Sequence, residues 1–500
     1  MKQTPIVLLA VLCILSTDCS NNEPQANTEF SSAELYTPKE INSIIYKKLQ
    51  STGDFNWKNA DTKLLWSALV HGNHILSIGY GRSYDKTLKS TENNKIKTDL
   101  LNSIKVSEFS HNHELKITSK ILYEDDENLT IVDVKITCLE TLFKLLQSDN
   151  IRYMEPADYI LPIFNKELKN ALEMGCRLTG STIHAADVTS VEPNCIASWT
   201  YSQHNIPQAW QHSRGEGITV GIIDTGISPY QPAMNKGFSN EYTGPRTIEK
   251  YGTFVNSPWI WSTKTDGTDD NCGHGSKMSA TISAPLNDIE MPVGVAHKCN
   301  LVMYRASNSA SLLTYHQQKG VANALTQLAH REDVKIISMS LGHIITINRI
   351  ADAVRLAESK GKLVIAAGGT TSKSTNWLGV IFPARMKEVV SVTGIKDNGY
   401  EKCNICHCGN KIDFTIVMQR ADDNKRNSVS LGYYEGDKSY DSGSSVATAT
   451  TAGIAALVWA KYPNWTKDEV LNRLIQSSEF GNRRHPKFGY GNIDALKAVR

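Results

Sequence analysis

An acid, an imidazole and a hydroxyl group stand in three short segments of this 500-residue chain. Asp224 ends the near-continuous apolar run 218–223, which is typical of a buried parallel strand. We therefore expect its carboxylate at the sheet edge where open α/β proteins bind ligands. His274 and Ser445 each open a predicted helix that is rich in small residues. Since backbone amides and the helix dipole favour negative charge at a helix N-terminus, the three residue types together predict nucleophilic catalysis.

Each of these residues also has a purely structural interpretation. An acid often closes a strand as a turn residue, and a lone histidine more often caps a helix or fills a core. Ser445 or its neighbour Ser444 could be a helix N-cap. Catalysis is favoured because the three occur together, each close to glycine. Sets of Asp, His and Ser also arise on unrelated folds, so chain order and the flanking glycines must identify the class.

The flanking sequences resemble those of the subtilases, the subtilisin-like serine peptidases. Asp-Thr-Gly, Gly-His-Gly and Gly-x-Ser occur in that family's order, at 224–226, 273–275 and 443–445. Further matching segments are Gly-Val-Ala at 294–296, the strand at 337–342 and the closing segment at 489–495. The resemblance covers about residues 198–500. It implies an α/β fold with a largely parallel sheet flanked by helices.

The resemblance also implies hydrolysis of peptide bonds in protein or peptide substrates. Ser445 would attack the carbonyl carbon, His274 would accept its proton and pass it to the leaving amine, and Asp224 would orient the imidazole. The implied substrate-binding residues are Ser340, Leu341, Gly342 and Gly369. We expect an extended substrate to add a strand between residues 338–342 and 366–368.

The main departure from the family pattern is Gly369, which stands where subtilases carry an oxyanion-binding asparagine. In subtilisin the loss of that amide lowers kcat by about 10²–10³. We therefore expect a slow or narrowly specific endopeptidase, in which Thr370, Thr371 or Asn376 takes over the missing contact. The alternative function is a pseudopeptidase that binds peptides without turning them over. The intact acid, imidazole and hydroxyl favour the enzyme.

Upstream of the matching region the chain predicts a small α/β domain over residues 36–156. Apolar and polar residues alternate over 129–136, apolar residues recur at helical spacing over 139–146, and a second short strand follows at 152–156. This order is similar to the inhibitory propeptide of many subtilases, so the chain is interpreted as a zymogen with its own propeptide as intramolecular inhibitor. A linker and N-terminal arm at 157–197 would contain the maturation cleavage, and the peptidase domain would span 198–500.

Residues 1–19 predict export, because a basic start precedes an apolar stretch too short to span a membrane. Cys19 lies where a bacterial lipoprotein carries its acylated cysteine, although Asp18 stands where that motif has a small residue. We therefore expect a secreted or cell-envelope protein. The formal net charge of +2 gives no electrostatic reason to expect a nucleic-acid partner.

Two sequence features could hold a metal or cofactor. Cys403, Cys406 and His407 match the covalent haem-attachment signature, and with Cys408 they could also ligate a metal, but a disulfide or free thiols are favoured. The acidic stretch 266–271 lacks the pattern of an EF-hand and is interpreted as a solvated loop. The predicted chemistry requires no cofactor and no metal, while the family resemblance allows a bound calcium ion. A bridge at Cys272, two residues before the histidine, could hold the catalytic loop.

Overall fold

The computed structural model describes residues 35–81, 91–111, 121–126, 128–161, 175–370 and 377–500. The predicted signal peptide, Cys19, Thr371 and Asn376 lie outside these ranges. Residues 36–500 form one compact unit. Within the described ranges, no helix is both long and apolar enough to cross a bilayer.

The centre of the molecule is a seven-stranded sheet in which all neighbouring strands are parallel. Its strands are β7 (Thr219–Asp224), β8 (Ile248–Gly252), β9 (Asn300–Arg305), β10 (Val334–Met339), β11 (Leu363–Ala367), β12 (Val390–Lys396) and β13 (Phe414–Gln419). Their order across the sheet is β13-β12-β11-β10-β7-β9-β8. The central strands are buried on both faces, which explains their near-continuous apolar sequences. The predicted fold class, a largely parallel sheet flanked by helices, is confirmed.

Helices cover both faces of this sheet. The helices of this part of the chain are α5 (Trp199–Ser202), α6 (Ile206–Ala209), α7 (His274–Ser283), α8 (Tyr315–His330), α9 (Asn348–Ser359), α10 (Ser444–Lys461), α11 (Lys467–Ser477) and α12 (Ala495–Val499). On β7, Val220 lies in one apolar core with Ile454 of α10. The next residue, Gly221, lies against Leu328 of α8. Because successive strand residues point to opposite faces, α8 and α10 lie on opposite sides of the sheet.

The N-terminal part of the described chain contains a second, antiparallel sheet with the order β2-β3-β1-β4. Its strands are β1 (Ile75–Tyr80), β2 (Leu122–Asp126), β3 (Ile131–Lys135) and β4 (Ile151–Pro156), and its helices are α1 (Pro38–Thr52), α2 (Thr62–His71), α3 (Thr91–His111) and α4 (Leu139–Leu146). The strand, helix and strand that alternation and spacing predict over 129–156 correspond to β3, α4 and β4. The sequence before residue 128 gave no comparable signal.

Two short hairpins lie outside these two sheets. β5 (Val188–Val191) pairs with β6 (Cys195–Ser198), and β14 (Ser428–Leu431) pairs with β15 (Lys438–Asp441). The chain that precedes β5 lies beside β15, where the backbone amide of Ser181 donates to the carbonyl oxygen of Lys438 at 2.7 Å. The region predicted as a linker therefore contributes backbone contacts to the larger unit.

Candidate active site

Three elements bring the predicted triad to the carboxyl edge of the parallel sheet. Asp224 is the last residue of β7, His274 is the first residue of α7, and Ser445 is the second residue of α10. His274 and Ser445 line the same cleft. Ligands of open α/β sheets bind at this edge. Side chains far apart in sequence thus share one site because their elements share one end of the sheet.

The acid and the imidazole are directly hydrogen-bonded. His274 Nδ1 donates to Asp224 Oδ1 at 2.7 Å, and the backbone amide of Thr225 donates to the same oxygen at 2.8 Å. Burial lowers the pKa of His274, but the charge and hydrogen bond of Asp224 outweigh burial and raise that pKa above its ordinary value. Because Nδ1 points to the carboxylate, Nε2 is the nitrogen left to exchange a proton in the cleft.

The Ser445 hydroxyl lines the same cleft as His274 but is not hydrogen-bonded to the imidazole. Its Oγ donates to the carbonyl oxygen of Ser340 at 3.4 Å, and no hydrogen bond to His274 occurs among the described residues. In return, Ser340 Oγ donates to the carbonyl oxygen of Ser445 at 3.0 Å. Catalytic hydrogen bonds are often long or misaligned in unliganded enzymes and tighten when substrate binds.

Asp270, which sequence reasoning treated as part of a solvated loop, is fully buried and organises the start of α7. Its Oδ1 accepts from the amides of Cys272 and Gly273, and its Oδ2 accepts from the amide and hydroxyl of Ser276. The carboxylate therefore caps the helix that carries His274, and the interpretation as a solvated loop is wrong at this residue. An acid a few residues before a Gly-His helix start was the available signal.

The acidic stretch 266–271 does not fit a calcium site in this structure. Asp270 is saturated by the amides and hydroxyl at the start of α7, and Asp266 forms an ion pair with Arg305. Two of the three carboxylates in this stretch are therefore already engaged, whereas calcium takes six to eight oxygen ligands. The described ranges contain no group of three or more metal-ligating side chains placed around one point.

A disulfide joins Cys176 to Cys272, so the bridge suggested at Cys272 is present and its partner is identified. It holds the segment 175–181 against the loop before the imidazole. Gly175 packs on the ring so closely that a Cβ there would lie 2.9 Å from His274 Cδ2. Lys277, one turn after the histidine, donates to the carbonyl oxygen of Arg177 at 3.4 Å and forms an ion pair with Asp441 at 3.1 Å.

The predicted substrate-binding residues Ser340, Leu341, Gly342 and Gly369 line the same cleft. The expected position of the substrate strand is wrong, however. Strands β10 and β11 are direct neighbours in the sheet, with Met339 paired to Ala366, so no chain can enter between them. Beyond the sheet, Gly342 donates to the carbonyl oxygen of Ala310 at 3.0 Å and accepts from the amide of Leu312 at 3.1 Å. Both backbone groups of Gly342, which were expected to receive substrate, are thus already paired.

His407 fills the space beside Gly369. The imidazole is fully buried, and a Cβ at Gly369 would lie 2.6 Å from its Nδ1. That Nδ1 donates to the carbonyl oxygen of Gly379 at 2.6 Å. Gly369 also has φ of +129°, a conformation that L side chains rarely adopt. An asparagine side chain therefore cannot replace Gly369 without displacing His407.

The cysteine cluster beside His407 forms a disulfide between Cys403 and Cys406. Both thiolates needed for haem attachment or for metal ligation are thereby consumed, while Cys408 is free. The bridged loop carries His407 onto Gly369, and the backbone amide of His407 donates to the carbonyl oxygen of Gly369 at 3.0 Å. In this structure the cluster shapes the wall of the cleft.

Replacing Gly369 with alanine is expected to lower the free energy of unfolding, because strain at positive φ costs about 1–3 kcal/mol and the clash with His407 adds to it. Gly399 is the matched control, since its φ is +111° but a Cβ there meets open space. Denaturant unfolding of Gly369→Ala and Gly399→Ala should separate the two contributions. Equal losses of stability in both variants would contradict the steric account.

The fold and this site define a serine endopeptidase of the subtilisin-like class. The profile of the subtilase family (Peptidase_S8) matches residues 215–492, more than half of the chain, and the chain belongs to that family. The N-terminal antiparallel sheet and the segment that contains Cys176 lie before the matched range.

Named relatives agree with the family. The thermostable alkaline protease of Halalkalibacterium halodurans is 29% identical over 289 residues, which is 56% of this chain and 68% of that protein. Mycosin-3 of Mycobacterium tuberculosis is 28% identical over 356 residues, which is 59% of this chain and 70% of that protein. Among solved structures, a protease from Pseudoalteromonas arctica shares 23% identity, with a TM-score of 0.48 over 59% of this chain and 93% of that one.

Proposed function

We propose that this subtilase is an exported endopeptidase that cleaves protein or peptide substrates with Asp224, His274 and Ser445, and that it is made as a zymogen. The observation that carries the proposal is the 2.7 Å hydrogen bond between Asp224 Oδ1 and His274 Nδ1, in a cleft that the Ser445 hydroxyl also lines. Such an arrangement leaves the other imidazole nitrogen free to act as a base toward the serine.

In the proposed reaction, Ser445 Oγ forms a bond to the peptide carbonyl carbon while its proton passes to His274 Nε2. The buried Asp224 carboxylate stabilises the imidazolium that results. The same proton then passes to the leaving amine, and an acyl-enzyme remains. Water then attacks the acyl carbon while His274 takes its proton, and the return of that proton to Ser445 Oγ releases the acid product. The chain's own residues supply every proton transfer, so the proposal includes no cofactor, and calcium has no role in these steps.

The pH dependence of this reaction has a defined sign. His274 must be neutral to accept the serine proton, and the Asp224 carboxylate raises the pKa of His274 above its ordinary value near 6.5. We therefore expect kcat/KM to rise with pH through an inflection above 6.5. Asp224→Asn should move the inflection to lower pH, because the charge that stabilises the imidazolium is lost. An inflection that does not move would contradict the assigned pairing.

The zymogen part of the proposal is supported by how the N-terminal sheet docks. It packs on helices α8 and α9 through paired charges that are largely buried. Asp133 pairs with Arg349 and accepts from the Tyr315 hydroxyl at 2.6 Å. Arg152 pairs with Asp352 at 2.7 Å. Each of these two ion pairs joins a residue of the N-terminal sheet to a residue of α9.

A carboxylate from β4 also completes a helix of the larger sheet domain. Glu155 accepts from the backbone amide of Asn348 at 3.1 Å and from its side-chain amide at 3.0 Å. Helix α9 has no side-chain N-cap of its own. Burial raises the pKa of Glu155 to about 7, as expected for a carboxyl group removed from water. The N-terminal domain therefore stabilises α9 by supplying its missing cap.

The chain leaves this docked domain after β4. Further along, Gly175 lies against the imidazole of His274. We infer that the docked domain and the segment at Gly175 restrict the cleft until a bond between Pro156 and Ser198 is cut. The Cys176–Cys272 disulfide would keep the segment after Cys176 on the enzyme when cleavage occurs before that cysteine. Secretion or residence in the cell envelope, with or without a lipid at Cys19, completes the proposal.

A pseudopeptidase is the second candidate, favoured by Gly369 and by the direct pairing of Gly342 with residues 310 and 312. The two candidates differ in one experiment. Wild-type protein and its Ser445→Ala variant, both cut between Pro156 and Ser198 with an added protease, are incubated with a mixed peptide library, and the products are analysed by mass spectrometry. The enzyme predicts internal cleavages that disappear with Ser445→Ala. Peptide binding without any Ser445-dependent cleavage would establish the pseudopeptidase.

A further inference from the structure

We propose that the Thr370 hydroxyl supplies the oxyanion contact that Gly369 cannot make. The proposal rests on the proposed function and concerns the same cleft, which Thr370 and Ser444 both line. An oxyanion forms when Ser445 Oγ bonds to the peptide carbonyl carbon and the carbonyl π electrons move to oxygen. Hydrogen-bond donors aimed at that oxygen lower the barrier, often as the largest single contribution.

The first donor is the backbone amide of Ser445. It lies in the first turn of α10, where amides have no partner within the helix. The N-cap residue Gly443 has no side chain to cap the helix, and among the described residues the Ser445 amide has no hydrogen-bond acceptor. It is therefore available to a ligand. The amide of the preceding residue, Ser444, is already used, because it donates to Thr370 Oγ1 at 3.0 Å.

Counting protons in the Thr370–Ser444 pair leaves one hydroxyl proton unused. Ser444 Oγ accepts from the amide of Gly369 at 3.0 Å, and the two hydroxyl oxygens lie 2.9 Å apart. One hydroxyl proton fills the contact between them. Across the described ranges, neither hydroxyl donates to any other acceptor, so the second proton is available to a ligand.

Burial decides which hydroxyl presents that proton. Ser444 is completely buried, whereas Thr370 is partly exposed at the cleft. The consistent arrangement has Ser444 donating to Thr370 and Thr370 donating into the cleft. Thr370 Oγ1 then accepts from both the amide and the hydroxyl of Ser444, and such chains of hydrogen bonds strengthen the final donor. Thr370 follows Gly369 in the chain. Because its hydroxyl oxygen binds the amide of Ser444, it lies next to the amide of Ser445 in the first turn of α10.

The backbone around Thr370 fixes this position. A Cβ at Gly443 would lie 2.8 Å from Thr370 Oγ1, so the glycine before Ser444 makes room for the hydroxyl. Thr370 is also held by a backbone bridge to Cys406, in the disulfide loop that carries His407 onto Gly369. The same loop that excludes an asparagine at 369 therefore anchors the threonine that replaces it.

The test is Thr370→Val, which exchanges the hydroxyl for a methyl group of similar size. We expect kcat to fall about 10²-fold with little change in KM, as for loss of one oxyanion donor. A peptide aldehyde matched to the best peptide substrate should bind weaker by the same factor as kcat/KM falls, because it forms a tetrahedral adduct with Ser445. The corresponding peptide amide, a ground-state analogue with a neutral trigonal carbonyl, should bind equally to both proteins. Thr370→Ser should restore most of the activity.

Thr326→Val is the matched control, because Thr326 is buried in α8 and its hydroxyl has no hydrogen-bond partner in the described ranges. If Thr370→Val is less stable than the parent, Thr370→Ala and Thr370→Ser are compared at equal folded fraction. The proposal is overturned if hydroxyl-free variants keep kcat within about threefold of the parent, or if the affinities for the aldehyde and for the peptide amide fall together. Wild-type protein without Ser445-dependent hydrolysis would instead overturn the proposed function itself.

Discussion

Replacing His274 with alanine is expected to lower kcat for peptide hydrolysis by about 10⁶, because removal of the serine or the histidine from the triad of subtilisin has an effect of that size. The reason is that Ser445 is a weak nucleophile unless a neighbouring base accepts its proton. Folding should be preserved, since the hydrogen bond that is lost involves one buried pair at the edge of the sheet. The measurement is steady-state hydrolysis of a peptide substrate by parent and variant that have both been processed with an added protease.

The loss of kcat in the double variant tests whether His274 and Ser445 act together. Residues that act as one unit are not additive, so His274→Ala combined with Ser445→Ala should be no slower than either single variant. His330→Ala is the control, because His330 is exposed in the last turn of α8, away from the cleft. Multiplicative losses in the double variant would mean that the two side chains act independently, and the triad assignment would then be wrong.

Exchanging Arg349 for methionine is expected to undock the N-terminal domain. The guanidinium is buried against Asp133, and removal of one partner from a buried ion pair typically costs about 3–5 kcal/mol. In a Ser445→Ala background, which prevents self-cleavage, amides of β3 and β4 should then exchange with deuterium about 10²–10³ times faster, because the undocked state becomes more populated.

Arg355→Met is the matched control on the same helix. Arg355 is one-third exposed and pairs with Asp352 at 3.0 Å, and pairs with that exposure contribute about 1 kcal/mol or less. Little change in exchange is expected for that variant. Equal exchange rates in Arg349→Met and Arg355→Met would show that the buried pair does not hold the domain.

The fold class and the location of the site could be predicted from the sequence because both depend on local sequence features. The apolar run before Asp224 predicts a buried strand, and the glycines around His274 and Ser445 predict helix starts at its carboxyl edge. These features need only a few consecutive residues. The structure brings these three side chains to one edge, while their catalytic roles stay predictions.

What could not be predicted depends on contacts between distant residues. The pairing of Cys176 with Cys272 spans 96 residues, and the pairing of Arg349 with Asp133 spans 216. Neither leaves a periodic signal. His407 shows the same limit, because the haem-like motif around it gives no indication that its ring fills the space beside Gly369. The predicted position of the substrate strand was wrong for a related reason. The sequence of a single strand does not determine which strands are its neighbours in the sheet.

Mapping of a fluorophosphonate adduct tests the central claim most directly. Wild-type, His274→Ala and Ser445→Ala proteins are brought to the same processed form with an added protease, labelled, digested and analysed by mass spectrometry. The account predicts one phosphonyl group on Ser445 Oγ in the wild type and none in either variant, since the reagent reports a serine that a base has activated. An unlabelled wild type, or equal labelling of Ser445 in His274→Ala, would contradict it.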